Sequence, residues 1–217
     1  MRGLFMKDTR LLLIQQKFII LLLVLTFVLT INIEDFFAMM YLPFVCSFFV
    51  LGTLSYDEDS NGYLFLMSLP LDRKTYVNEK YVFSILVCTV TELAGFLIEL
   101  ICHMWKPETA PLKEGIQLLP IIFASIMLLM SFLLPIRLIY GAEKGKIATL
   151  IGAGIITLLG TFGIRFLEKS GLAWRETLHH VFAGNMLLIE GMFLLFSLAV
   201  TEGSRRISIR IMEKKEF

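Results

Sequence analysis

The sequence predicts an all-α, polytopic membrane protein, and three observations carry that prediction. Of its 217 residues, 57% are hydrophobic and 18% charged, against the roughly 25% charged of a soluble domain. Mean hydropathy is +0.77. The apolar residues fall into six runs of near-spanning length, separated by short polar connections that leave little chain for a soluble domain. Cys46, Cys88 and Cys102 sit inside apolar runs at no metal-ligand spacing, as small core residues and not as a disulfide framework.

Met1 to Lys17 interleaves Arg2, Lys7, Arg10 and Lys17 with Leu4, Phe5, Leu11 and Leu12, the pattern of an interfacial helix. The first two spans occupy residues 18–54. The first, Phe18 to Ile33, has no small-residue cleavage site after it and is expected to remain. It is short for a span and is expected to borrow residues on its amino side. A tiny turn without Lys or Arg leads to the second span, Phe36 to Leu54.

Residues 55–80 are the long polar interruption of the first half. An acidic run, Asp57 to Asp59, precedes Asn61-Gly62, a natural turn. The apolar piece Tyr63 to Leu69 ends at Pro70, and Asp72 is placed to N-cap a helix running through Tyr76 and Lys80. Two readings fit: a short amphipathic helix on the membrane surface that presses on a soluble partner, or a solvated loop whose apolar residues dip into the headgroups.

Residues 81–200 hold four more spans. The third runs from about Tyr81 to Met104. The fourth, about Ile116 to Tyr140, carries Pro120 and Pro135, and Pro135 would kink it unless neighbours re-satisfy the freed carbonyl. The fifth, Ile147 to Leu167, has Gly152, Gly154, Gly160 and Gly163 for close helix packing. The sixth, Val181 to Val200, leads into a basic tail, 201–217.

An even number of spans puts both termini on one side, and the cations indicate which. Four Lys or Arg lie in the amino-terminal segment, three in the loop after the second span, three around the loop after the fourth and five in the tail. The other face carries Lys106, Lys113, Arg165, Lys169 and Arg175. The positive-inside rule therefore predicts both termini and the Ser55–Lys80 loop in the cytoplasm.

Soluble-enzyme motifs are missing. Gly141 to Lys146 is one residue short of a phosphate loop, and Ile147 stands where Ser or Thr would hold magnesium. His179-His180 lack the spacing of a zinc protease. No bound cofactor, metal or nucleic-acid partner is expected. Within the spans, Glu92 and Glu99 share a helix face seven residues apart, and Glu190 lies mid-span in the sixth. A carboxylate at mid-bilayer costs about 2.5–3.5 kcal/mol on insertion scales, so each should face other helices or a water-filled cavity. They either line a path for a cationic or amphipathic cargo or hold the bundle together by hydrogen bonds. His103, one turn after Glu99, is a candidate partner for it.

The order of parts resembles the permease subunit of a bacterial type-2 ABC exporter, and the specific likeness lies in Glu58 to Tyr81. Glu58, Gly62, Ser68-Leu69-Pro70, Arg73-Lys74 and Lys80-Tyr81 are similar to the first cytoplasmic loop of the family's smaller permeases. The resemblance implies that Tyr63, Leu64, Phe65, Leu66, Met67, Ser68, Leu69 and Pro70 form a coupling helix that docks on a separate ATP-binding subunit. ATP and magnesium would be held by that partner. Two permeases, expected as a homodimer, and two ATPases would form the exporter in the bacterial cytoplasmic membrane, with an amphipathic or antimicrobial-type peptide as cargo. The alternatives are an ATPase-independent immunity or scaffold protein, and an intramembrane hydrolase using Glu or His.

Overall fold

The computed structural model describes residues 2–32, 36–58, 62–63, 72–105, 112–169 and 186–215, with the backbone alone for 2, 112–113, 142–143, 146, 148–169 and 186–187. The described residues form six helices and no strand: α1 Arg2–Ile14, α2 Gln16–Asn32, α3 Phe37–Glu58, α4 Arg73–Trp105, α5 Leu112–Lys169 and α6 Met186–Lys214. Among the described residues, three helices are long and apolar enough to cross a membrane, or four if α1 and α2 count as one bent span.

Local chemistry explains the boundaries. Gln15 separates α1 from α2, and its carbonyl accepts the amides of Phe18 and Ile19 as the axis bends by 64°. The helix that holds the segment expected as the first span starts at Gln16. Phe36 turns the chain into α3 with φ of 66°. Asp72 stands at the N-cap position of α4, its carbonyl accepting the Tyr76 amide at 3.1 Å.

At 33 residues, α4 is about 50 Å long against a hydrocarbon core of about 30 Å, so it is longer than the apolar layer is thick. In α5, Pro120 and Pro135 lie within the helix, and the non-helical residue is Gly141, with φ 75° and ψ −174°. The break in this helical run lies at Gly141, six residues after Pro135. The segment read as a loop, 141–146, belongs to the helical run that follows this hinge. The segment expected as the fifth span, 147–167, is helical, with its backbone alone described from 148 onward.

The core runs along α3, which packs against both α4 and α5, while α6 packs along α5. Leu42, Val50 and Leu51 of α3 meet a core completed by Val77 and Phe83 of α4, Met127, Met130 and Leu134 of α5, and Met212 of α6. Gly95 permits a close approach of α4 to α3: a Cβ there would lie 2.7 Å from the Ala38 carbonyl oxygen.

A polar seam joins α4, α5 and α6. The Tyr81 hydroxyl lies 2.6 Å from Ser204 Oγ and 2.9 Å from Ser208 Oγ, while Ser131 donates to Thr201 at 2.9 Å. Short hydroxyls satisfy one another here without charge, which suits a helix interface without competing water. The segment read as a basic tail continues α6 as helix to Lys214, and Met212 is fully buried.

Candidate functional site

The N-terminal helix, the end of α3, the start of α4, the α5 hinge and the end of α6 meet at one end of the bundle. The centre of that meeting is a knot of four charges. Lys80 on α4 is 1% exposed and pairs with Asp8 of α1 and with Asp57 of α3, the latter at 2.9 Å. Lys7 of α1 pairs with Asp57 and, at 3.1 Å, with Asp8. Two ammonium groups thus face two carboxylates in alternation. Thr53 accepts a further hydrogen bond from Lys80 at 3.0 Å, and Tyr76 donates to Asp57 at 2.9 Å.

The electrostatics follow from burial and pairing. Burial opposes the charge on Lys7, but Asp57 and Asp8 outweigh it and hold the lysine above its usual pKa. Tyr63, buried beside Tyr76 with ring centroids 5.9 Å apart, has its phenol pushed up, chiefly by desolvation. The arrangement keeps the lysine charged and the phenol neutral.

Contacts from Lys215, Glu58 and Arg73 extend the knot to the hinge and the C-terminal end of α6. Lys215 lies 3.6 Å from Glu58, donates to the Leu138 carbonyl at 3.2 Å and sits 5.0 Å above the Tyr63 ring. A Cβ on Gly141 would lie 3.0 Å from Glu58 Oε2, so the hinge packs directly on the last residue of α3. Arg73, at the first turn of α4, donates to the carbonyls of Met212, Glu213 and Lys215 at 2.8–3.0 Å and caps the end of α6.

Of the expected coupling residues, Tyr63 is buried at 6% exposure beside Tyr76. Leu64, Phe65, Leu66, Met67, Ser68, Leu69 and Pro70 lie outside the described residues, as does His179-His180. The intramembrane carboxylates separate by role. Glu99 Oε1 accepts the Ala38 amide at 2.9 Å, capping the start of α3 from the neighbouring helix. Glu92 and Glu190 are buried at 6% and 5% exposure, each with one carboxylate oxygen lacking a hydrogen-bond partner among the described residues.

The residues that sequence reasoning missed are Asp8, Glu79 and Gly141. Asp8 carried a signal: it is the one acidic residue in an otherwise basic segment, Met1 to Lys17, and it is fully buried. In the sequence Lys80 and Asp57 read as loop charges, and their pairing emerges only when α3 and α4 pack.

A bundle of apolar helices, three or four of them candidate membrane spans, with a cluster of paired charges where α1, α3 and α4 meet, defines a multi-pass membrane protein. Residues 3–213 match the family of ABC-2 family transporter proteins, and the chain belongs to that family. It is therefore the membrane permease subunit of an ABC transporter. No curated protein and no solved structure matches the chain.

Proposed function

We propose that this chain is half of the membrane path of an ATP-driven exporter in the bacterial cytoplasmic membrane. In this reading the charged end of the bundle faces the cytoplasm, and residues 63–70 take force from a separate ATP-binding subunit. One observation carries the reading: Asp57 and Lys80, on either side of the loop, are joined by a buried 2.9 Å ion pair. A loop entering and leaving through one such knot transmits a push to both helices at once. The knot also grips α1 through Asp8, and Glu58 passes the displacement to the Gly141 hinge. Several helices then respond to a force applied at Tyr63–Leu69.

ATP and magnesium belong to the partner in this reading. Gly141, the start of the phosphate-loop-like stretch, faces the Glu58 carboxylate, where an anion would be repelled. Two permeases, as a homodimer, and two ATP-binding subunits would enclose the path. An amphipathic peptide is the cargo class that the family resemblance favours. Glu92 and Glu190 are the better candidates for its lining, since Glu99 already caps α3.

The test is co-expression with a neighbouring Walker-motif ATPase, followed by co-purification in detergent and reconstitution. The two chains should copurify, and Leu66→Asp should leave insertion intact while separating ATP hydrolysis from transport. Purification of the permease without an ATPase, or unchanged transport by Leu66→Asp, would overturn the reading.

A further inference from the structure

A groove of about 730 Å³ lies between α1 and α4, within the range of small-ligand sites. Its α1 wall presents Met6, Arg10 and Leu13, which share one helix face, and its α4 wall presents Glu79 and Val82. Met6, Leu13 and Val82 are 59%, 59% and 53% exposed, so the groove opens away from the core, toward the surroundings of the bundle. For a membrane chain those surroundings are lipid and the headgroup layer.

An apolar, outward-opening groove is ordinary on such a protein; its carboxylate is not. Glu79 is 2% exposed, and neither carboxylate oxygen has a hydrogen-bond partner among the described residues. It is the neighbour of Lys80, yet Lys80 points into the knot, to Asp8, Asp57 and Thr53. A buried carboxylate without a donor costs several kcal/mol, so a donor supplied from outside would be held well. Arg10, exposed on the opposite wall, adds a cation to the same groove.

From this juxtaposition we infer that the α1–α4 groove binds a phospholipid carrying a primary ammonium, of the phosphatidylethanolamine class. Glu79 turns its carboxyl into the groove to accept from the ammonium, the phosphate pairs with Arg10, and the upper acyl chain lies along Met6, Leu13 and Val82. The charge pattern decides the class: one buried carboxyl and one rim cation, in an apolar groove, complement a zwitterionic amphipath whose ammonium favours the ionised carboxylate. A choline headgroup lacks N–H donors and leaves Glu79 unsatisfied. A glycerol headgroup brings no cation. A cationic peptide leaves Arg10 facing like charge.

The experiment uses the full chain in detergent, with any subunit that copurifies and without nucleotide, so its outcome is separate from that of the coupling reading. Mixed micelles offer phosphatidylethanolamine, phosphatidylcholine and phosphatidylglycerol in equal amounts, and retained lipid is quantified by mass spectrometry. Retention of the ethanolamine lipid should exceed that of the choline lipid about tenfold, the worth of one charge-assisted hydrogen bond. Glu79→Gln should reduce that preference to near parity, and Val82→Trp, which fills the groove without touching either charge, should lower retention of both lipids. Equal retention of the two lipids by the wild type, or an unchanged preference in Glu79→Gln, would overturn the assignment. Displacement by dodecylamine as effective as by the ethanolamine lipid would also overturn it, since no phosphate contact would then be needed.

Discussion

Lys80 Nζ and Asp57 Oδ2 stand 2.9 Å apart, closing the polar loop between α3 and α4 at its base. Both are almost fully buried, so the cost of removing one partner is that of stranding the other. Lys80→Met should destabilise the chain by about 3–5 kcal/mol, because Asp8 and Asp57 then share only the partly exposed Lys7. Lys7→Met should cost clearly less. Thermal unfolding in one detergent compares the two, and equal losses would show that the knot does not centre on Lys80.

The hinge at Gly141 makes a second expectation. Its φ of 75° with ψ of −174° is a region open essentially to glycine, and a Cβ would also press on the Glu58 carboxylate. Gly141→Ala should destabilise by about 1–3 kcal/mol. Adding Glu58→Ala should recover only the part due to contact, since the backbone strain stays. Melting temperatures of the single and double variants separate the two; full rescue would locate the whole cost in the side chain.

How much of this was legible in the sequence varies from element to element. The apolar runs and Asp72 gave α3 and the N-terminus of α4 because helix length and caps are local properties. Gly141 was read as the start of a loop, because a glycine beside Lys and Glu looks alike in a loop and at a hinge. The knot was illegible for another reason. Asp8, Asp57 and Lys80 are separated by 49 and 23 positions, and only the packing of α1 and α3 on α4 brings them together. The sequence did show three carboxylates within spans, but not that Glu99 is committed to the Ala38 amide.

That commitment distinguishes the acidic residues experimentally. Glu99→Gln keeps an acceptor for the Ala38 amide and should be tolerated, whereas Glu99→Ala leaves an orphan donor at the start of α3 and should cost about 1 kcal/mol. Gly95→Leu attacks the same junction by steric means and should be worse than Glu99→Ala, since its Cβ alone meets backbone at 2.7 Å. The readout is thermal stability together with transport in reconstituted vesicles. A large transport defect in Glu99→Gln, with stability unchanged, would assign Glu99 to the cargo path instead.

Arg73 supplies the last expectation. Its Nη1 lies 2.8–3.0 Å from three carbonyls at the end of α6, groups that no further helical turn satisfies. A guanidinium reaches such a cluster from a fixed plane, whereas an ammonium is a flexible point charge, so Arg73→Lys should not be conservative. Arg73→Lys should lose part of the stabilisation and Arg73→Met about 1.5–3 kcal/mol, the usual worth of hydrogen bonds to a charged group. Hydrogen exchange should show the loss locally, as faster exchange over residues 209–214 with the amides of α3 unchanged. Uniform acceleration across the bundle would mean that Arg73 supports the whole fold, and no change at residues 209–214 would mean that the α6 terminus is held by packing of Met212 alone.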